Sequence, residues 1–399
     1  MSVKLIIEDP VVARWGETME EVGWGPWQYP TLSKADDGTI VLSCASGPDS
    51  STSFGHELNW AVSADDGRSW SIADPSVKVH AGTRLPDGRI LRNPSRKITP
   101  VPEDQLPEPI AVHPVQGKVF LMDDLPDGMV SKEWLLTRTT KDGGVEELRS
   151  PIDWPYFATT YKYESLLTPF MFGRPRIAPD GSVWMPHYGI IPSPENGGYS
   201  PFYNAFYLKS TDCGESWSLE SWIPYTPDIR EFPGAFTDAE GFCEADVAFT
   251  PDGSMISLIR SGSTTPSYIT RSADGGKTWE KPRIFDKCGV WPTLLVLDCG
   301  VTVAGYGRPG FFLRGTDDPS GMEWGDPVAL IPYADRSRDG NTVPENPGDD
   351  WKFGTCSYCD LLALSADEFL LAYSDFYYPD DAGVKRKAVL TRRVKVIKE

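Results

Sequence analysis

The sequence predicts an all-β chain made of about six similar four-stranded units. Three observations carry this. Short apolar runs broken by tight D-G-type turns recur along the whole length. An octapeptide with four fixed positions recurs between them. The 399 residues include 37 Gly, 36 Pro and 14 Trp, a composition of many turns and many aromatic packing points, while helical periodicity is weak throughout.

The elements follow in order. VKLII (3–7) reads as a strand. TLSKADDGTIVLS (31–43) reads as strand, tight turn, strand, and SADDGRSW (63–70) is the first octapeptide. TRLPDGRILR (83–92) is the next hairpin. The Pro-rich ITPVPEDQLPEPIAVHPVQ (98–116) reads as a surface excursion, and a second LPDG at 125–128 leaves the unit count open there. TKDGGVEE (140–147) is a degenerate octapeptide that keeps Asp and Gly but loses Trp. The hairpin RIAPDGSVWMP (176–186) precedes the octapeptide STDCGESW (210–217), and VAFTPDGSMISLI (247–259) precedes SADGGKTW (272–279). LLVLDCGVTVAG (294–305) is followed by the looser GTDDPSGMEW (315–324). LLALSADEFLLAY (361–373) is the last hairpin, and KRKAVLTRRVKVI (385–397) reads as an outer strand that closes a ring with VKLII.

Units of roughly 45–90 residues, repeated about six times, predict a β-propeller. One domain spans residues 1–399, with six blades expected and seven as the alternative. The octapeptide S-x-D-x-G-x-x-W is a turn: Asp accepts from backbone N–H groups a few residues on, Gly supplies φ > 0, and Trp anchors the turn to neighbouring strands.

The formal net charge of −19 and the pI near 4.7 argue against nucleic acid and anionic membranes as partners. A small anionic ligand would need a local arginine cluster. Seven cysteines form no dense framework and read as mostly reduced thiols. Cys356 and Cys359 make a C-x-x-C in TCSYCDLLAL (355–364), but the four His lie far upstream, so neither a metal site nor any cofactor is implied. No signal-type apolar run opens the chain and none reaches 18 residues. A cytoplasmic protein is expected, or a secreted one if a signal peptide has been removed.

The repeated octapeptide is the Asp box of the sialidase-like proteins, and the chain resembles a six-bladed propeller glycoside hydrolase of the sialidase type. The resemblance implies site residues. In CSYCDL, Tyr358 stands at the place of the family's nucleophile. In EADVAFTPDGSMISLIR, Glu244 matches the base that polarises the Tyr hydroxyl, and Arg260 matches a carboxylate-binding arginine. Arg308 in YGRPGFFLRGTD is the best match to a second arginine, with Arg314 weaker. Counting six back from Ser63 reaches Glu57 in the place of the general acid, one methylene longer than the family's Asp. That changes its reach by about 1.5 Å.

The clearest departure is Gln28 in GPWQYPTL, where sialidases carry the first of three arginines. A neutral bond replaces a charge-assisted one about twice as strong. The family's late supporting Glu is also missing; LLAYSDF offers Ser374 and Asp375. Arg174, in FGRPRIAPDG, is a candidate to replace the missing guanidinium.

These residues suit attack at an anomeric carbon beside a carboxylate. A neutral Tyr hydroxyl, deprotonated as it attacks, avoids anion–anion repulsion, and this is the exception to the two-carboxylate scheme. The expected function is removal of a terminal acidic sugar, sialic acid or a related ulosonate, by a retaining exo-glycosidase. The alternatives are a polysaccharide lyase acting on uronates and a non-catalytic carbohydrate-binding propeller. Trp15, Trp24 and Trp27 are candidates for a sugar-binding rim.

Overall fold

The computed structural model describes residues 3–47, 58–92, 98–113, 117–130, 132–154, 156–162, 164–167, 174–190, 192–193, 198–331 and 354–399. It is all-β, and its contacts divide the chain into two compact units. The first unit is Met1–Ala81 with Asp246–Gly275 and Trp279–Glu399; the second is Gly82–Ala245 with Gly276–Thr278.

Among the described residues the first unit holds four antiparallel sheets, three of them laid down wholly in sequence order. One runs Gln28–Lys34, Ile40–Ala45, Leu58–Ser63, Ser71–Ile72. Another begins with residues 246–249 and continues through Met255–Arg260, Ser267–Ser272 and Arg283–Asp286. A third runs Val290–Val296, Thr302–Gly307, Phe311–Thr316, Val328–Ile331. The last runs Cys359–Ala363, Glu368–Pro379, Lys385–Lys398, and both Val3–Ile7 and Val11–Trp15 pair with Lys385–Lys398. The expected pairing of the chain's two ends is therefore present, with the second N-terminal strand as an addition.

The turns follow from their residues. In four hairpins an Asp side chain accepts from the N–H two residues on: Asp37 from Thr39, Asp87 from Arg89, Asp180 from Ser182 and Asp252 from Ser254. The intervening Gly38, Gly88, Gly181 and Gly253 have φ of 82–88°, which a side chain would strain. The octapeptides are also turns. Ser63 Oγ donates to Asp65 and accepts from Gly67 N–H, Asp65 accepts from Ser69, and Trp70 Nε1 reaches Thr391 at 2.9 Å. Ser210, Asp212 and Ser216 repeat this geometry, and Trp217 is buried.

Apolar faces stack sheet on sheet. Ile256, Leu258 and Ile269 pack on Leu294, Ala304 and Phe312. Val303, Phe311 and Leu313 pack on Leu361, Leu371 and Leu390. Leu370, Ala372 and Val389 pack on Leu32, Ile40 and Leu42. Buried carboxylates fasten first strand to first strand. Asp246 Oδ2 accepts from Leu294 N–H at 2.7 Å and Asp360 Oδ2 from Leu32 N–H at 2.5 Å. This common register brings the entry residues of three first strands to one end: Gln28 and Tyr29, Trp291, and Tyr358.

The second unit holds an eight-stranded sheet. Thr83–Arg84, Ile90–Arg92, Glu133–Thr139 and Val145–Asp153 form one half. Arg176–Ile177, Val183–Gly189, Asn204–Ser210 and Trp217–Ile223 form the other, joined by parallel pairing of Ile152 and Asp153 with Trp217 and Ser218. The Pro-rich excursion is partly structured: Ile98–Pro100 and Ala111–His113 join Gly117–Leu121, Ala158–Lys162 and Ser165–Leu167 in a separate five-stranded sheet. The LPDG at 125–128 is no hairpin, because the 3₁₀ turn Met122–Asp124 precedes it. Among the described residues no helix is long and apolar enough to cross a membrane.

Candidate active site

Tyr358 lies just ahead of strand Cys359–Ala363, with its ring buried. Tyr29 meets that ring edge-on at 4.5 Å between centroids, and Trp291 lies tilted at 5.0 Å. Such pairs add roughly 0.5–1.5 kcal/mol each beyond burial. Arg260, the last residue of strand Met255–Arg260, donates from Nη1 to the Tyr358 hydroxyl at 3.3 Å and from Nη2 to Ser263 Oγ at 3.2 Å. The Arg308 guanidinium lies 5.6 Å from the Tyr358 ring centre and 5.2 Å from that of Trp24, and Nη2 donates to the Cys356 carbonyl at 2.7 Å. Two guanidinium groups thus flank one phenol, and negative charge developing on its oxygen would be stabilised.

The backbone around this cluster is strained. Trp27, Tyr29, Trp291, Arg308 and Ser357 have φ of 66°, 56°, 45°, 58° and 65°. For bulky side chains this is a true outlier, costing about 1–3 kcal/mol each, and such outliers gather at functional sites. Local bonds hold some of them. Trp27 N–H donates to Ala45, Arg308 N–H to Gly310, and Ser357 Oγ to Gly310. Tyr29 and Trp291 sit in bulges that interrupt the pairing of their strands.

Gln28 is fully buried, and its Nε2 donates to the Trp24 carbonyl at 2.5 Å. Ser374 Oγ donates to the Trp27 carbonyl at 2.7 Å. Burial pushes the Asp375 carboxyl up, against the lowering effect of Tyr377 N–H and Arg392. The segment that carries Trp24 includes a short helix, Met19–Val22, closed by reciprocal bonds between Thr18 and Glu21.

Sequence reasoning missed Lys387. It reads as the last of three successive basic residues that open an outer strand, yet it is fully buried. Nζ donates to the Gly23 carbonyl at 2.9 Å and the Trp24 carbonyl at 2.8 Å, and lies 4.0 Å from the Phe376 ring centre. Burial lowers its pKa from 10.5 to about 8, opposed by Cys356 and Glu17. The available signal was its place at the head of the apolar run Ala388–Leu390.

The other expected residues divide. Arg314 spends Nε on the Gly325 carbonyl and Nη1 on that of Phe285, away from Tyr358. Glu57 lies outside the described residues. Glu244 and Arg174 belong to the second unit. Glu244 is buried with φ 41°, two residues before Asp246 on the same strand, and Arg174 is half-buried ahead of Arg176–Ile177. Trp24 joins the cluster, Trp27 is buried with Nε1 on Glu17, and Trp15 is exposed beside Tyr378. Cys356 and Cys359 are buried free thiols. Among the described residues no group of three or more His, Cys, Asp or Glu could hold a metal.

No protein-family model and no curated protein matches the sequence. Solved structures do. A protein of unknown function from Dyadobacter fermentans superposes with a TM-score of 0.63 at 18% identity, covering 98% of this chain and 99% of that one. A Hadza microbial sialidase superposes with a TM-score of 0.51 at 13% identity, covering 97% of this chain and 68% of that one. At such identities the likeness shows the fold alone, and that fold is a sialidase-like β-propeller.

Proposed function

We propose that the chain is a single six-bladed propeller and a glycoside hydrolase of the sialidase type. It removes a terminal acidic sugar, sialic acid or a related ulosonate, with retention at the anomeric carbon. The observation that carries this is the buried Tyr358, whose hydroxyl takes a hydrogen bond from Arg260 while Arg308 covers its ring. A merely packed tyrosine needs no two guanidinium groups.

In this mechanism the Tyr358 oxygen bonds to the anomeric carbon as the bond to the leaving oxygen breaks. The phenol proton passes to Glu244, whose role rests on its place in the sequence. Glu57, likewise assigned from the sequence, protonates the leaving oxygen. Water then displaces Tyr358, with Glu57 taking the water proton and Glu244 returning one to the phenolate. Arg260 and Arg308 hold the carboxylate of the sugar, a task suited to planar guanidinium groups.

The test is turnover of aryl glycosides of N-acetylneuraminate, related ulosonates, glucuronate and neutral sugars by wild type and Tyr358→Phe. Tyr358→Phe keeps the ring and its neighbours and removes the nucleophilic oxygen. Its rate on the best acidic glycoside should fall by about a thousandfold or more. Unchanged turnover would remove Tyr358 from the chemistry. An ultraviolet-absorbing unsaturated product would favour uronate elimination, and no cleavage of any glycoside would favour binding alone.

A further inference from the structure

Arg308 is held beside Tyr358 by rings more than by hydrogen bonds. Its Nη2 donates to the Cys356 carbonyl, but its Nε is buried with no hydrogen-bond partner among the described residues. A single bond leaves a guanidinium free to turn about it. The rings of Trp24 and Tyr358, centred 5.2 and 5.6 Å from the guanidinium carbon, close it in. Trp24 in turn is fixed from Lys387. Gly16 N–H donates to the Lys387 carbonyl at 2.8 Å and Lys387 N–H to that of Glu17 at 2.9 Å, which anchors the start of the segment leading to Trp24. Lys387 Nζ anchors its end through the carbonyls of Gly23 and Trp24, the latter shared with Gln28 Nε2. The same ammonium faces the Phe376 ring, and Phe376 meets the Trp24 ring edge-on at 5.4 Å between centroids. Backbone and ring of Trp24 are thus both set from one side chain. An ammonium suits this, because its three donors serve two carbonyls and still face a ring.

We propose that Lys387 is a positioning residue of this site: it fixes Trp24 over Arg308, and through that ring it sets the guanidinium beside Tyr358. Its effect on the reaction rests on the reading that Arg308 meets the substrate. Lys387 is fully buried and touches no ligand; it acts from behind Trp24, which is half-buried. Arg308 would hold an anionic group equally in the ground state and the transition state, so a loosened Arg308 raises KM and leaves kcat. A residue that served stability alone would neither free one guanidinium among many nor act through Trp24.

The test compares wild type, Lys387→Met, Trp24→Leu and the double variant at pH 7, with folding checked by circular dichroism. The first readout is water exchange of the arginine Nε–H groups by nitrogen-15 NMR, with the Arg308 signal assigned through Arg308→Lys. Lys387→Met should speed exchange at Arg308 about tenfold and leave Arg260, which bonds Tyr358 and Ser263, within about twofold. The second is turnover of the best acidic glycoside: KM should rise about tenfold with kcat within about twofold. Trp24→Leu should reproduce both effects, and adding Lys387→Met to it should change either by less than about twofold. If Lys387→Met fails to fold, Lys387→Gln, neutral and one bond shorter, takes its place. Exchange at Arg308 within about twofold of wild type overturns the proposal. So does a fall in kcat at unchanged KM, or effects that multiply in the double variant. The two proposals fail separately. If wild type cleaves no glycoside, exchange alone decides, and an Arg308 freed by both variants keeps Lys387 in its role while the hydrolase reading falls. Tyr358-dependent turnover with Arg308 unmoved does the reverse.

Discussion

Replacing Lys387 with Met tests whether a buried cation supports the segment that carries Trp24. The side chains are similar in length, so packing changes little. In the wild type the folded pKa is lowered from 10.5 to about 8 by burial. A difference of that size corresponds to at most about 3 kcal/mol of penalty on the charged form. Below pH 8 the lysine is protonated in both the folded and the unfolded chain, and the penalty is fully present. Between pH 8 and 10.5 the unfolded chain keeps the proton while the folded chain has released it. Stability conferred by this group therefore rises with pH across that window. Lys387→Met removes the rise. At pH 7 the variant also escapes the penalty but leaves the Gly23 carbonyl without its donor, at about 1–3 kcal/mol. The Trp24 carbonyl keeps Gln28. The two effects nearly cancel, so the variant should lie within about 2 kcal/mol of wild type at pH 7. By pH 10 it should have lost about 2–3 kcal/mol relative to wild type. Urea unfolding of both proteins in reductant at fixed ionic strength, from pH 7 to 10, measures the difference, and subtraction removes the other titrating groups. A difference constant across that range would refute the argument.

Two further outcomes are expected. Asp360→Asn turns one of two carboxylate oxygens into an NH₂ group facing the N–H of Leu32 or Leu361, and should cost about 2–3 kcal/mol in urea unfolding; an unchanged midpoint would show that the first-strand fasteners do not hold the sheets together. Burial pushes the pKa of His187 from 6.5 down to about 3, so its contribution to stability is lost as pH falls from 6.5 towards 3, where only the unfolded chain takes the proton. His187→Phe should flatten that decline in acid-unfolding curves, and a parallel decline in both proteins would count against it.

The hairpins were legible because their signals are local. An Asp followed by Gly between apolar runs contains its own acceptor and its own left-handed residue, so the turns at Asp37, Asp87, Asp180 and Asp252 could be read from a few letters. The octapeptides were legible for the same reason. Tyr358, Arg260 and Arg308 were reached through a motif resemblance, and the structure brings these three together. The short strands inside the Pro-rich stretch were not legible, because whether Ile98–Pro100 pairs is decided by partners 65 to 69 residues further along the chain.

What only the tertiary structure decided concerns groups whose state depends on distant neighbours. The sequence alone says that Gln28 lacks a charge; the fold adds that it is fully buried and that its Nε2 is used on Trp24. The sequence shows Lys387 as one basic residue among several; the fold buries it against carbonyls more than 360 positions earlier in the chain. Turn chemistry acts over two to four residues and is written in order along the chain. The partners that a buried side chain meets are set by packing between distant segments, and no local pattern records them.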